Sequence, residues 1–312
     1  MGKILGSEEG KELKRHMELL LRMLEQILRE ERLASEEVRR LREEGLIDER
    51  ALDRYSRLRR AREWIEDEFD RRGFLMEGAR LLLAEHLEIK PGDVILDLGS
   101  GDGWFSIQAG LLYPEAQFYG VELSEEFAEA NEYAKIFSLE NVHFFYLDAY
   151  DLPFPSESID KIAMFFSLAN IALNRLDLER LFEECSRVLK PGGLLGIAEA
   201  FLEDFPEELG SILLELYARY GDGRETLLPL SDAEEALLKR FELRRVERIK
   251  LRDSGAPVDE AAEYLQRYYR GDVSEELIEP VKSYCERVWV RDDPPSYHIL
   301  VAEKTQGWPE QG

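Results

Sequence analysis

Apolar positions change their spacing as the chain is read from its amino terminus. From Lys11 to about Phe74 they recur every three or four residues, at Leu13, Met17, Leu20, Leu24, Ile27 and Leu28 and again at Leu52, Tyr55, Leu58, Ile65 and Phe69. That is the spacing of one helix face. No proline interrupts the stretch. It predicts one long amphipathic helix, a second capped by Ser35 and stopped at Gly45, and a third capped by Asp48. After Gly73 a further helix, Met76 to Leu87, leads through the turn Lys90-Pro91-Gly92-Asp93 to the first continuous apolar run, Val94 to Leu98.

Beyond that run, short apolar segments alternate with helical ones. Strands are predicted at Phe118–Glu122, Val142–Leu147, Ile159–Phe166, Leu194–Ala200, Phe241–Leu251 and Tyr297–Ala302. With the first run they make an α/β sheet of seven mostly parallel strands with helices on both faces. The implied organisation is an amino-terminal helical extension over 1–75 and a sheet domain over 76–304. A tail over 305–312 is expected to be disordered. Two segments fall outside the alternation. Residues 201–230 carry a helical stripe with Phe205, Leu209, Ile212, Leu216, Tyr217 and Tyr220; residues 253–295 hold Tyr264, Tyr268, Tyr269, Tyr284 and Trp289. Both are expected to act as lids over the carboxyl ends of the strands, where open α/β sheets bind their ligands.

The first strand runs into Gly99-Ser100-Gly101-Asp102-Gly103-Trp104. Glycines at alternate positions permit positive φ and let a ligand approach the backbone, while the following helix presents its free N–H groups. A dinucleotide fingerprint needs glycine at its sixth position, and here that position is Trp104.

Composition narrows the choices. With 312 residues, 44% of them hydrophobic, the chain can bury one large core or two modest ones. No apolar run approaches the roughly 20 residues of a membrane span, and Met1 to Lys14 lack a signal-type apolar stretch, so a cytoplasmic protein is expected. Cys185 and Cys285 are the only cysteines, and His16, His86, His143 and His298 are scattered, so no metal site is predicted. A formal charge of −25 disfavours nucleic acid as a partner. The arginines at 39, 40, 54, 57, 59, 60, 62, 71 and 72 are interleaved with acids, as on a solvated helix face laced with i,i+4 pairs. The 34% charged content, with threonine only at 226 and 305, has the bias of thermophile proteins.

The spacing Asp97-x-Gly99-x-Gly101-x-Gly103 resembles motif I of the class I S-adenosylmethionine-dependent methyltransferases, a Rossmann-like family. Tyr119-Gly120-Val121-Glu122-Leu123-Ser124 resembles its second-strand motif, and Asp148-Ala149-Tyr150-Asp151-Leu152-Pro153-Phe154-Pro155 its third. Ile159 to Ser167 is similar to the fourth strand, and Arg187-Val188-Leu189-Lys190-Pro191-Gly192-Gly193 to the turn before the fifth. Five elements in order make the resemblance specific. The nearest branch is the one that modifies small molecules, type 11, including quinone and sterol methyltransferases.

The resemblance implies S-adenosylmethionine as methyl donor and S-adenosylhomocysteine as product. It places Asp97 and the turn Gly99, Ser100, Gly101, Asp102 and Gly103 at the methionine end. Glu122 falls on the ribose, Leu123 against the adenine, Asp148 and Ala149 at the adenine amino group. Phe165, Phe166 and Trp104 fall beside the sulfonium, a cation that aromatic faces and carboxylates stabilise. Methyl transfer needs a nucleophile held in line about 3 Å from the methyl, with a base only for some acceptors. Asn170, Tyr217 and Tyr220 are candidates for binding the acceptor; Glu199 and the insertion tyrosines are further candidates for a base, and none is singled out. A small-molecule acceptor leads. A protein or RNA acceptor docked by the amino-terminal helices, and a noncatalytic cofactor-binding regulator, stay open, as does the oligomeric state.

Overall fold

The computed structural model describes residues 8–72, 75–205, 207–220, 226–250, 279 and 296–305. The chain divides into two compact units, residues 1–147 and 148–312.

The first unit opens with three helices, α1 (Glu8–Glu43), α2 (Glu49–Arg72) and α3 (Leu75–His86). The helix start expected at Ser35 is absent: α1 runs through that residue without a break. Serine in a helix interior costs only a few tenths of a kcal/mol relative to better helix formers, and packing decides. Ala34 on α1 and Ala51 and Leu58 on α2 are all buried. Arg54 pairs with Glu30 at 2.8 Å and Arg62 with Glu31 at 3.0 Å across the two helices, in addition to the expected i,i+4 pair of Arg57 with Asp53 at 2.6 Å.

The stop at Gly45 and the cap at Asp48 are as predicted. Gly45 has φ +71°, its N–H donates to the carbonyl of Arg42, and the Leu46 N–H reaches back to Leu41. This paired closure suits a left-handed glycine after the last helical turn. Asp48 Oδ1 then accepts from the Arg50 and Ala51 amides at 2.9 and 3.3 Å.

After α3 come β1 (Val94–Leu98), α4 (Trp104–Leu112), β2 (Gln117–Glu122), α5 (Glu126–Ile136) and β3 (Val142–Tyr146). β1 pairs parallel with β2, and β2 with β3. The core gathers Leu81, Leu82 and Leu83 of α3 and Leu87 just after it with Ile95, Leu96 and Leu98 of β1, Ile107 of α4 and Phe118 of β2, each nearly inaccessible. Full burial of such a side chain contributes about 2 kcal/mol.

The second unit contains β4 (Ile159–Phe165), α6 (Leu168–Ile171), α7 (Arg175–Val188) and β5 (Leu189–Glu199). A 3₁₀ turn (Leu202–Asp204), α8 (Glu207–Tyr220), α9 (Leu230–Leu237), β6 (Phe241–Lys250) and β7 (Ser296–Lys304) follow. Asn174 caps α7, its Oδ1 accepting from the Leu176 and Asp177 amides. The α7 stripe Leu178, Leu181, Phe182, Cys185 and Val188 is buried. The turn expected at Lys190–Gly193 lies inside β5, as an irregularity between the pairs Ile159↔Leu189 and Lys161↔Leu194.

Of the seven strands, those of the first unit lie in the order β3-β2-β1 and those of the second in the order β4-β5-β7-β6. β4 and β5 are parallel; β7 is antiparallel to both β5 and β6. The mostly parallel sheet therefore has one reversed strand, whose direction its apolar run could not announce. The expected lid at 253–295, with its five aromatic residues and Cys285, lies outside the described residues except for Glu279, as do Leu251 and residues 306–312.

Candidate functional site

In the first unit, β1 ends in the glycine-rich turn, which backbone hydrogen bonds shape. The Gly99 and Ser100 amides both donate to the Val121 carbonyl of β2, at 2.9 and 3.1 Å, and Gly103 donates to the Ser100 carbonyl at 2.8 Å. Gly99, Gly101 and Gly103 have φ of +67°, +51° and +84°, a region costly for residues with a Cβ. Their surroundings differ. A Cβ at Gly103 would sit 2.4 Å from Cζ of Phe144 and 2.8 Å from Cβ of Ala130, whereas one at Gly101 would meet only Oε2 of Glu126, at 3.3 Å. Packing demands the glycine at 103, and the turn is open to a ligand at 101.

Three carboxylates border the turn, with a fourth beneath it. Asp97, 1% exposed, accepts the Ser106 hydroxyl at 2.8 Å and so ties β1 to the first turn of α4. Burial outweighs that bond and, with the Glu122 charge, pushes its carboxyl up to about 7. Glu122 ends β2. Its Oε2 accepts from the Gly101 amide at 2.9 Å, and its Oε1 from the Leu123 and Ser124 amides at 2.8 and 2.9 Å. Burial, then Glu122 and Asp102, raise the Glu126 carboxyl above its usual range. An anionic border of this kind repels a phosphate and attracts a cation. Ser100 is 8% exposed, and its hydroxyl has no hydrogen-bond partner among the described residues.

The remaining expected residues of the first unit are Leu123 and Trp104. Leu123, 53% exposed, follows Glu122 as an open apolar surface. The Trp104 indole is buried, stacked on Tyr133 with centroids 5.0 Å apart and edge-on to Phe137 at 5.8 Å. Its ring thus serves the packing of α4 on α5, a role the loop motif did not suggest. Phe144 was likewise missed: its ring fills the space left by both Gly103 and Gly120, and no local pattern marks that.

In the second unit, Asp148 is exposed and Ala149 buried. Asp148 Oδ1 accepts the Tyr150 amide at 2.9 Å, closing a turn. Arg187 pins the segment that follows, donating to the carbonyls of Leu152 and Phe154 at 2.8 and 2.9 Å. Glu184 completes the clamp by accepting the Leu152 amide at 2.8 Å. Phe165 and Phe166 meet edge-on at 4.9 Å, and Phe166 approaches Tyr297 at 5.5 Å. Phe166 has φ +50°, and its amide is held by the Ala198 carbonyl at 2.8 Å. Strain at an aromatic residue directly after a parallel strand marks a position fixed by its surroundings.

Asn170 is exposed on α6 and Tyr217 half-buried on α8; the Tyr220 side chain lies outside the described residues. Glu199, 5% exposed, accepts the Ala169 and Ala200 amides at 3.3 and 3.1 Å. Burial dominates and lifts its carboxyl to about 7. A pair that sequence reading missed lies close by: His298 Nδ1 and Asp204 Oδ2 are 2.8 Å apart, though 94 positions separate them. No spacing signal links residues so distant. Among the described residues no cluster of three or more potential metal ligands occurs, and no helix is long and apolar enough to cross a membrane.

The parallel strands, the glycine turn and the acidic residue ending β2 define an α/β protein of the kind that takes ligands at the carboxyl ends of its strands. A family model described as a methyltransferase domain matches residues 95–193. The chain carries a methyltransferase domain of the class I, S-adenosylmethionine-dependent type.

Among curated proteins, the O-methyltransferase cnsE of Penicillium expansum is 28% identical over 231 residues, 73% of this chain and 78% of that protein. A demethylmenaquinone methyltransferase of Bacillus cytotoxicus is 26% identical over 182 residues, 53% of this chain and 75% of that protein. Among solved structures, the geranyl diphosphate C-methyltransferase of Streptomyces coelicolor A3(2), determined with Mg²⁺, geranyl-S-thiolodiphosphate and S-adenosyl-L-homocysteine, superposes with TM-score 0.51 at 18% identity. The match covers 73% of this chain and 75% of that one. That likeness is one of fold.

Proposed function

We propose that this protein transfers a methyl group from S-adenosylmethionine to a small-molecule acceptor, with residues 76–304 as the transferase domain. The observation that carries the reading is the Glu122 carboxylate at the tip of β2, drawn to the Gly101 amide beside the buried Ser100 hydroxyl, which has no partner among the described residues. The residues fit the group. Glu122 has the chemistry to accept both ribose hydroxyls, and Leu123 offers an apolar surface to the adenine. The open turn at Gly101 admits the methionine end, and Ser100 supplies a hydroxyl that lacks a partner among the described residues. When bound, the cofactor supplies an electrophilic methyl on a sulfonium sulfur.

The acidic border of Asp102, Glu122 and Glu126 favours a ligand bearing positive charge over a dinucleotide pyrophosphate. Asp148, Ala149, Phe165 and Phe166 are proposed as further cofactor contacts, and Asn170, Tyr217 and Tyr220 as acceptor contacts. The relatives named for O-methylation and for demethylmenaquinone methylation support a small-molecule acceptor. Calorimetry with S-adenosylhomocysteine tests the reading. Binding is expected for the wild type and strong weakening for Glu122→Ala and Gly101→Ala; absent binding, or binding indifferent to both changes, removes the cofactor assignment.

A further inference from the structure

Asp204, Ser296 and His298 form a buried polar group in the second unit, joined by the exposed Arg248, that the cofactor reading does not use. Asp204 lies in the 3₁₀ turn after β5, and its side chain is wholly inaccessible. Its Oδ1 accepts from Ser296 Oγ at 2.8 Å and Arg248 Nε at 3.1 Å, and its Oδ2 faces His298 Nδ1 at 2.8 Å. The Phe201 amide adds a fourth donor at 3.0 Å, also to Oδ2. Burial alone would raise this carboxyl, but the bonds from His298, Ser296 and Phe201 outweigh it and hold it below its usual range. Asp204 is therefore an acceptor, and the proton between the pair belongs to His298 Nδ1.

With its proton at Nδ1, the uncharged form of the ring carries its lone pair on Nε2. Among the described residues His298 has a hydrogen-bond partner only at Nδ1, and Phe201 packs edge-on to its ring at 5.9 Å. The ring is 9% exposed. His298 is also placed well along the fold, since it pairs in register with Glu199, the last residue of parallel strand β5. Ligands of such sheets collect beyond the carboxyl ends of the strands.

We infer that His298 is a catalytic base, oriented by Asp204, and that the acceptor atom is a hydroxyl oxygen. Resting on the methyltransferase reading, this deepens it by naming the acceptor's chemistry. Amines and thiols are methylated once neutral or ionised, whereas a weakly acidic hydroxyl must lose its proton as it attacks. In that step the hydroxyl proton moves to Nε2 and an oxygen electron pair forms the new bond to the methyl carbon. The pair of the broken S–CH₃ bond stays on sulfur. The sulfonium loses its charge as the imidazole gains one, and the ring then gives its proton to water.

Glu199, the other buried acid here, suits the task less, because backbone amides occupy both its oxygens. Among the described residues, the charged groups facing His298 are Asp204 of the 3₁₀ turn, at its ring, and its register partners Arg248 of β6 and Glu199 of β5. Asp204 acts through His298 and is a positioning residue, following the orienting logic of base and carboxylate pairs.

The test uses the full chain, labelled S-adenosylmethionine, and phenol, catechol, 4-nitrophenol and thiophenol as probes near pH 8. His298→Asn keeps a donor for Asp204, so folding and S-adenosylhomocysteine binding by calorimetry are expected to persist. Transfer to phenol and catechol is expected to fall about 100-fold or more. Loss with 4-nitrophenol, already ionised, should be much smaller, and thiophenol should be unaffected. Imidazole nitrogen NMR should show His298 as the Nδ1–H tautomer in the wild type and a tautomer mixture in Asp204→Asn. Equal loss on every probe, no loss on phenol and catechol, turnover of no hydroxylated probe, or the Nε2–H tautomer in the wild type overturns the assignment. Wild-type protein that fails to bind S-adenosylhomocysteine removes the methyltransferase reading as well.

Discussion

Gly103 and Phe144 occupy one space: a Cβ on the glycine would lie 2.4 Å from Cζ of the ring. The third glycine of the turn thus belongs to the packing of β3 against the start of α4, while Gly101 faces open space apart from Glu126.

Alanine at the two positions should consequently act on different properties. Gly103→Ala is expected to destabilise the protein by about 2–4 kcal/mol, from overpacking and a left-handed backbone, with partial rescue by Phe144→Leu. Gly101→Ala should cost about 1 kcal/mol of stability while weakening S-adenosylhomocysteine binding severely. Urea denaturation beside calorimetry separates the two; equal losses of stability would contradict the division of labour.

Stability should fall as pH rises toward neutrality. Asp97 keeps its proton in the folded state up to about 7, whereas the unfolded chain releases it near the ordinary value of about 3.9. Between those values the folded state binds more protons, so raising the pH favours unfolding. The stabilisation is whole below the lower value and lost as pH passes the upper one. Glu199 acts with the same sign. Asp97→Asn should flatten part of the slope between about pH 5 and 8, and Asp97→Asn with Glu199→Gln most of it, in thermal melts across that range. Melts of the double variant that keep the wild-type slope would exclude this origin.

Arg187 should matter beyond its ion pair with Glu184. Its guanidinium holds two carbonyls of the segment after Asp148, and Arg187→Ala leaves both without that donor. A loss of about 1–3 kcal/mol is expected, with faster amide exchange at Leu152, whose N–H bonds Glu184. Exchange at Leu152 that matches the wild type would mean that the segment holds itself.

At the α1–α2 junction, Gly45→Ala should cost about 1 kcal/mol, because its φ of +71° penalises a Cβ even where space is open. Hydrogen exchange is expected to quicken at Gly45 and Leu46, the two amides of the closure, and to stay unchanged at β1.

Much of this protein is determined locally and was legible in its residues. The helix stop at Gly45, the cap at Asp48, the strand-to-turn junction at Leu98–Gly99 and the acid at Glu122 each follow from backbone preference or from apolar runs, which act over a few positions. Tertiary structure decided the rest. It carried α1 through Ser35 by burying Ala34, reversed β7, turned Trp104 toward Tyr133, and set His298 against Asp204 across 94 positions. Those outcomes depend on which surfaces meet. Burial and hydrogen bonding between distant segments outweigh local propensities of a few tenths of a kcal/mol, and no spacing along the chain encodes them.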